Sequence, residues 1–86
     1  MKTFQLKIVT PDGSFFDGPA VMLTLRGSEG DLAVLAGHVP FVTTVQPGRC
    51  KVETEDGSVK EGRLEGGLLS VAKEGVQLLS GSFHWA

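Results

Sequence analysis

Cysteine and histidine are scarce in this sequence. Its 86 residues include one cysteine, Cys50, and two histidines. No internal disulfide can therefore form within the chain, and few groups are available for a metal site or a nucleophilic triad. Because small secreted domains usually depend on several disulfides, the single cysteine favours a reducing compartment.

Long segments free of glycine and proline are also missing. Twelve glycines and four prolines are spread along the chain, and the longest stretch without either is Met1–Thr10. An interior glycine costs a helix about 1 kcal/mol, and an interior proline costs about 3 kcal/mol. The sequence has no room for a three-turn helix without such a breaker. This excludes an all-α fold and a doubly wound α/β fold with its long crossover helices.

Neither a strong net charge nor a long apolar run is present. Eight basic and ten acidic residues give a net charge of −2. This weak charge of mixed sign does not favour binding to nucleic acid or to an anionic membrane surface. The longest uncharged run, Leu32–Gly48, is interrupted by glycine, proline and His38. We therefore expect no direct membrane insertion. With 41% apolar residues, the chain has the composition of one folded domain.

The sequence does contain a series of short alternating segments. In Phe4–Val9, apolar and polar residues alternate with period two, which predicts a strand with one buried face. Similar segments follow, separated by turn residues such as Pro11-Asp12-Gly13 and Glu55-Asp56-Gly57-Ser58. The pattern predicts a single all-β domain over residues 1–86, an antiparallel sandwich or barrel of about nine short strands.

Several boundaries and core positions follow from the same pattern. We expect a short strand from Phe15 to end at Gly18-Pro19, and separate strands at Phe41–Val45 and Arg49–Thr54 because Pro47-Gly48 lies between them. The residues predicted to form the core are Leu6, Ile8, Leu23, Leu25, Val52, Leu68 and Val71.

No catalytic pattern emerges from the reactive residues. His38 and His84 are far apart in the sequence, and Cys50 lies on the apolar side of an alternating segment, which is typical of a small buried hydrophobe. The glycine-rich turns are not followed by helices, so they lack the helix N-terminus that a phosphate loop needs. The segment Arg49–Glu65 holds nine charged residues of both signs, which we interpret as a solvated edge hairpin.

One segment identifies a family resemblance. Residues 27–40 read Gly-Ser-Glu-Gly-Asp-Leu-Ala-Val-Leu-Ala-Gly-His-Val-Pro. This resembles the Ser-Glu-Gly-acidic-aliphatic stretch that leads into Pro-Gly-His-x-Pro in the epsilon subunit of F-type ATP synthase. The resemblance extends over roughly Thr3 to Leu79, and the other matching segments are Phe4–Asp12, Phe16–Gly18, Val45–Gly48 and Glu65–Val71.

The resemblance implies a flattened sandwich of about ten strands in the central stalk of a proton-translocating ATP synthase. It implies a non-catalytic subunit that binds the gamma subunit and the ring of c subunits at the cytoplasmic face of a bacterial membrane. It implies no cofactor, metal or small-molecule ligand. The polar loops that contact the rotor in this family correspond to Ser28, Glu29, Gly30, Asp31, Gly37, His38 and Pro40.

The end of the chain departs from the family pattern. The family commonly continues into a helical hairpin that can inhibit ATP hydrolysis, whereas this sequence stops at Ala86. We therefore expect no C-terminal helical domain and no hairpin-type inhibition. Phe83 and Trp85 either form a frayed tail or pack, and the large apolar area of each ring favours packing against the sandwich or against gamma. Two other functions remain open: a free-standing ligand-binding sandwich, and an enzyme that uses His38 and nearby carboxylates.

Overall fold

The computed structural model describes residues 2–27, 29–37 and 39–86. These residues form nine strands and no helix. The strands are β1 (Phe4–Thr10), β2 (Gly13–Ala20), β3 (Met22–Gly27), β4 (Gly30–Leu35), β5 (Phe41–Glu53), β6 (Val59–Leu64), β7 (Gly67–Ala72), β8 (Gly75–Ser80) and β9 (Phe83–Trp85). The all-β prediction and the expected number of strands are confirmed.

The strands form one strongly curled sheet. Its order is β2-β1-β8-β7-β5-β3-β4, while β6 pairs with β5 and with β9. Neighbouring strands run antiparallel except β1 and β8, which are parallel. The strands β1 and β8 are far apart in the sequence. A parallel pair needs a long connection between its strands, and the rest of the domain provides it.

Strand β5 joins the two halves of this sheet. Its residues 41–45 pair with β7, and its residues 48–53 pair with β6. We call β2, β1, β8, β7 and residues 41–45 the first half-sheet. Residues 48–53 with β3, β4, β6 and β9 form the second half-sheet. Buried side chains of both halves meet in a single core, which is the sandwich arrangement.

The prediction that Pro47-Gly48 ends a strand was wrong. Proline lacks an N–H and is tolerated at bulges, and Gly48 has a φ of 153°, a value that favours glycine. The two residues bend β5 without ending it. Val45 and Cys50 both face the core although they are an odd number of residues apart, so the bend also reverses the alternation of side chains.

The predicted strand end at Gly18-Pro19 was also wrong, because β2 continues to Ala20. Within the described residues β2 pairs only with β1, so it is an edge strand. Proline is accommodated on an edge strand because its missing N–H can face solvent. Pro19 lies opposite Gln5 in this pair.

The core matches the predicted residues with one exception. Leu6, Ile8 and Leu23 are fully buried, whereas Leu68 is 41% exposed and Leu69 is fully buried. Period-two alternation places Leu69 on the same face as Val71, so the adjacent Leu68 must point outward. Leu68 was therefore wrongly assigned to the core.

An aromatic seam joins the two ends of the curled sheet. The Phe15 and Phe83 ring centroids are 5.4 Å apart, and those of Phe83 and Trp85 are 4.9 Å apart. Trp85 Nε1 donates a hydrogen bond to the Phe15 carbonyl at 3.3 Å, and Phe16 packs edge-on against Trp85. Edge strand β2 thus meets β9, and the terminal aromatics pack against the sandwich rather than fraying.

Two leucine substitutions test the assignment of the faces. Leu25→Ala should lower the free energy of unfolding by roughly 2–5 kcal/mol, because it leaves a cavity in the core. Leu68→Ala removes the same atoms from an exposed position and should change the stability by about 0.5 kcal/mol or less. Urea unfolding followed by tryptophan fluorescence measures both. Equal losses would contradict the inward and outward assignments.

Candidate functional site

The groups that could perform catalysis are dispersed in the described residues. No three side chains of His, Cys, Asp or Glu among them are close enough to hold a metal ion. No helix in this part of the chain combines the length and apolar composition needed to cross a membrane. Cys50 is fully buried, and this burial raises its pKa to about 12. A thiol that keeps its proton is a poor nucleophile, which confirms the interpretation of Cys50 as a core residue.

Residues 29–31 of the first predicted contact segment lie where β3 connects to β4, and Gly30 and Asp31 are the first two residues of β4. Gly27 and Gly30 face each other at the end of this hairpin, and Glu29 is exposed at its tip. Asp31 is also exposed and lies directly opposite Arg26, which is a favourable arrangement of opposite charges across an antiparallel pair. Ser28 lies outside the described residues.

The second predicted contact segment lies in the connection between β4 and β5. Gly37 has a φ of 85°, which an L-residue rarely adopts, and it turns the chain away from the end of β4. Val39 is 75% exposed, and Pro40 is also exposed. His38 lies outside the described residues.

The two predicted segments do not come together. Glu29–Asp31 lie at the start of β4, and Gly37–Pro40 follow its end, so most of this strand separates them. A strand rises by about 3.3 Å per residue, which places the two ends of six-residue β4 roughly 16 Å apart. The two predicted segments therefore lie at opposite ends of β4.

An apolar strip lies on the outer face of the first half-sheet. Val42, Leu68 and Leu79 are 63%, 41% and 40% exposed. Leu68 lies opposite Leu79 in the β7–β8 pair, and Thr44 lies opposite Leu68 in the β5–β7 pair. Since Val42 and Thr44 share a face of β5, all three apolar residues point to the same side. We call Val42, Leu68 and Leu79 the apolar strip.

Sequence reasoning missed the apolar strip, although a signal for it was present. Two strands contain adjacent leucines, Leu68-Leu69 and Leu78-Leu79. In each pair one leucine is buried, Leu69 or Leu78, and the other is exposed. A strand with one dry face needs only alternate apolar residues. The extra leucine beside each core leucine therefore marked a second apolar face.

The charged hairpin Arg49–Glu65 was expected to be a sheet edge, but part of it is paired on both sides. Arg49 and Glu61 form an exposed ion pair with Nη1 and Oε1 3.5 Å apart, and such pairs contribute little stability. Thr54 Oγ1 donates to Asp56 Oδ1 at 2.6 Å and the Ser58 N–H donates at 3.0 Å, which lowers the pKa of Asp56. The β6 side of the hairpin is covered, because Gly62–Leu64 pair with β9. The prediction of a free edge was therefore wrong along that part of β6.

Comparison with known proteins places this sandwich in a family. Residues 3–86 match the family described as ATP synthase, Delta/Epsilon chain, beta-sandwich domain. The chain belongs to this family. It is similar to the ATP synthase epsilon chain of Clostridium novyi, with 39% identity over 98% of this chain and 64% of the relative. It is also similar to the sodium ion specific ATP synthase epsilon chain of Acetobacterium woodii, with 37% identity over 98% of this chain and 63% of the relative.

Two solved structures have the same fold. A chain in the cryo-EM structure of the Euglena gracilis mitochondrial ATP synthase, OSCP/F1/c-ring, matches with a TM-score of 0.90 and 28% identity, over 96% of this chain and 53% of that chain. A chain in the Tetrahymena thermophila mitochondrial ATP synthase central stalk and c-ring matches in fold, with a TM-score of 0.78 and 18% identity. The present chain spans just under two thirds of the length of the two bacterial epsilon chains.

The burial of Cys50 predicts an unreactive thiol. At pH 8 the native chain should react with a thiol reagent at least about a hundredfold more slowly than the chain in urea, because the thiol is both covered and protonated. The double variant Cys50→Ala/Val59→Cys carries its thiol at an exposed position and should react at once. Rapid labelling of native Cys50 would show that this part of the core opens readily.

Proposed function

We propose that the chain is a rotor subunit of an F-type ATP synthase that joins a gamma-type subunit to the ring of c subunits. In this role it performs no catalysis. It lies at the periphery of the cytoplasmic face of a bacterial cell membrane and takes part in coupling ion flow to ATP synthesis. The apolar strip is the observation that carries the proposal, because it is an exposed apolar face on a small domain. Membership of the delta/epsilon family supports it.

The apolar strip is suited to a protein partner. Small domains avoid contiguous exposed apolar surface unless it is used for binding, and the three strip residues come from three neighbouring strands of a rigid sheet. Val42 lies close in sequence to the Gly37–Pro40 segment, where Val39 is 75% exposed. We assign the strip, together with this neighbouring segment, to gamma.

The other predicted segment is suited to a different partner. Glu29 and Asp31 are exposed and acidic, and they lie at the far end of β4 from the Gly37–Pro40 segment. A polar, charged turn complements polar loops better than an apolar surface does. We therefore assign residues 28–31 to the c ring. A subunit that bridges two partners needs two separated contacts, and the length of β4 supplies the separation.

Charge introduced into the strip should break the contact with gamma. The double variant Leu68→Lys/Leu79→Lys should weaken gamma binding by at least tenfold, or about 1.4 kcal/mol, since it places two charges in an apolar interface. Val59→Lys is the matched control, because Val59 is 56% exposed on the second half-sheet. Titration of purified gamma with each purified variant measures the binding affinity and distinguishes the variants.

Equal loss of binding in both variants would contradict the assignment of the strip. Recovery of the unmodified chain only as a free monomer would contradict the rotor proposal itself and would favour a free-standing binding module. The unfolding midpoint of each variant is the control for folding, and it should stay near that of the unmodified chain because the replaced side chains are exposed.

We further propose that these 86 residues do not inhibit ATP hydrolysis. The segment after β8 forms β9, which pairs with β6, and its aromatic rings are used in the seam. Adding the chain to a reconstituted complex that lacks it should therefore leave steady-state ATP hydrolysis within about twofold. The Leu68→Lys/Leu79→Lys variant, added at a concentration at which its weaker binding leaves most of the complex unoccupied, gives the baseline. Strong inhibition by the unmodified chain alone would overturn this proposal.

A further inference from the structure

A cleft of about 390 Å³ opens on the outer face of the second half-sheet. Four cationic side chains line it, from Arg26, Arg49, Lys51 and Arg63, together with the carboxylate of Asp31. These side chains are exposed, and that of Arg49 has 72% of its surface accessible. The cleft lies on a different half-sheet from the apolar strip.

The cleft exists because the ladder between β3 and β5 is interrupted. Leu25 pairs with Cys50 and Gly27 pairs with Val45, so Arg26 has no opposite residue on β5. The segment of β5 between these pairs contains the bend at Gly48. Bulges of this kind redirect side chains and are over-represented beside functional sites. The irregularity directs Arg26 and Arg49 toward the same opening.

The charges in the cleft are unbalanced. Arg49 and Arg63 lie directly opposite each other in the β5–β6 pair, an arrangement that is unfavourable for like charges. Glu61 lies opposite Lys51 and also pairs with Arg49, while Asp31 lies opposite Arg26. Within the described residues, Arg63 has no carboxylate at ion-pair distance. Excess positive charge is thus concentrated at one place in a chain of net charge −2.

We propose that this cleft binds a phosphate-bearing ligand, held by Arg49, Arg63 and Lys51. Guanidinium groups match phosphate oxygens through paired hydrogen bonds, and lysine adds a compact charge. An anion between Arg49 and Arg63 would relieve their repulsion. The four cationic side chains favour an anionic ligand. This inference departs from the expectation of no small-molecule ligand and goes beyond the proposed rotor role. The cleft lies away from the apolar strip, and Asp31 is the one charged cleft residue that belongs to the segment assigned to the c ring.

Pyrophosphate is the probe for a soluble source of the phosphate. We expect it to bind the 86-residue chain at low ionic strength, with amide NMR shifts centred on residues 49, 51 and 63, and to bind more weakly as salt is added. Arg49→Gln and Arg63→Gln should each reduce the affinity at least about tenfold. Lys73→Gln removes the same charge from the turn between β7 and β8 and should leave the affinity within about twofold.

Stability gives a second readout that a structural role for the arginines would not produce. Arg63→Gln removes a repulsion, so its unfolding midpoint should stay unchanged or rise while pyrophosphate binding falls. A lower midpoint, or an equal loss of binding in Lys73→Gln, would overturn the proposal.

Vesicles distinguish a lipid source from a soluble one. Binding to phosphatidylglycerol vesicles and not to phosphatidylcholine vesicles, lost in Arg49→Gln and Arg63→Gln, would assign the phosphate to a lipid headgroup. Binding of pyrophosphate with the same losses would assign it to a solute. If the chain binds neither pyrophosphate nor phosphatidylglycerol vesicles, the proposal is overturned. Binding of polyglutamate alone would also overturn it, and would make the cleft a contact site for an acidic protein segment. Because the isolated chain is used, none of these outcomes bears on the gamma assignment.

Discussion

The bend of β5 at Pro47-Gly48 is the constraint on which the rest of the structure depends. It lets one strand belong to both half-sheets, so the sheet can curl around a single core. It also reverses the side-chain alternation, which leaves Val42 outward before the bend and Arg49 outward after it. The apolar strip and the cationic cleft are therefore two results of one local irregularity, one on each half-sheet.

The aromatic seam complements this bend. The bend brings β2 and β9 close together, and the aromatic rings join them. A domain of this size buries only a little more than about 60% of its unfolded surface, so exposed rings and open sheet edges would be costly. Trp85 and Phe83 cover that junction, and Lys60 Nζ lies 5.4 Å from the centroid of the Trp85 ring. Gly62 makes the packing possible, because a Cβ there would lie 2.6 Å from Phe83 Cζ.

Local features of the fold could be predicted from the sequence, and pairings between distant segments could not. Alternation in Phe4–Val9 and the turn at Asp56-Gly57 depend on neighbouring residues, so strand positions and most core residues followed directly. The parallel β1–β8 pair depends on the whole chain. The strip was hidden because alternation alone does not choose between Leu68 and Leu69. The cleft was hidden because Arg26 and Arg63, distant in sequence, line one cleft only once β3 and β6 pair with β5. The contact loops came from a family resemblance, and the structure adds that β4 separates them.

The parallel pair between β1 and β8 also sets the order in which the domain can be completed. Val9 lies beside Leu79, so the chain must be synthesised as far as Leu79 before β1 can complete its pairing with β8. At about 5–20 residues per second, the interval is roughly 4–14 s. During that time the β1–β2 hairpin can form, but Leu6 and Ile8 lack their partners in β8, Val76 and Leu78. Contacts this distant in sequence slow folding, and the exposed leucine and isoleucine make the incomplete domain prone to aggregation.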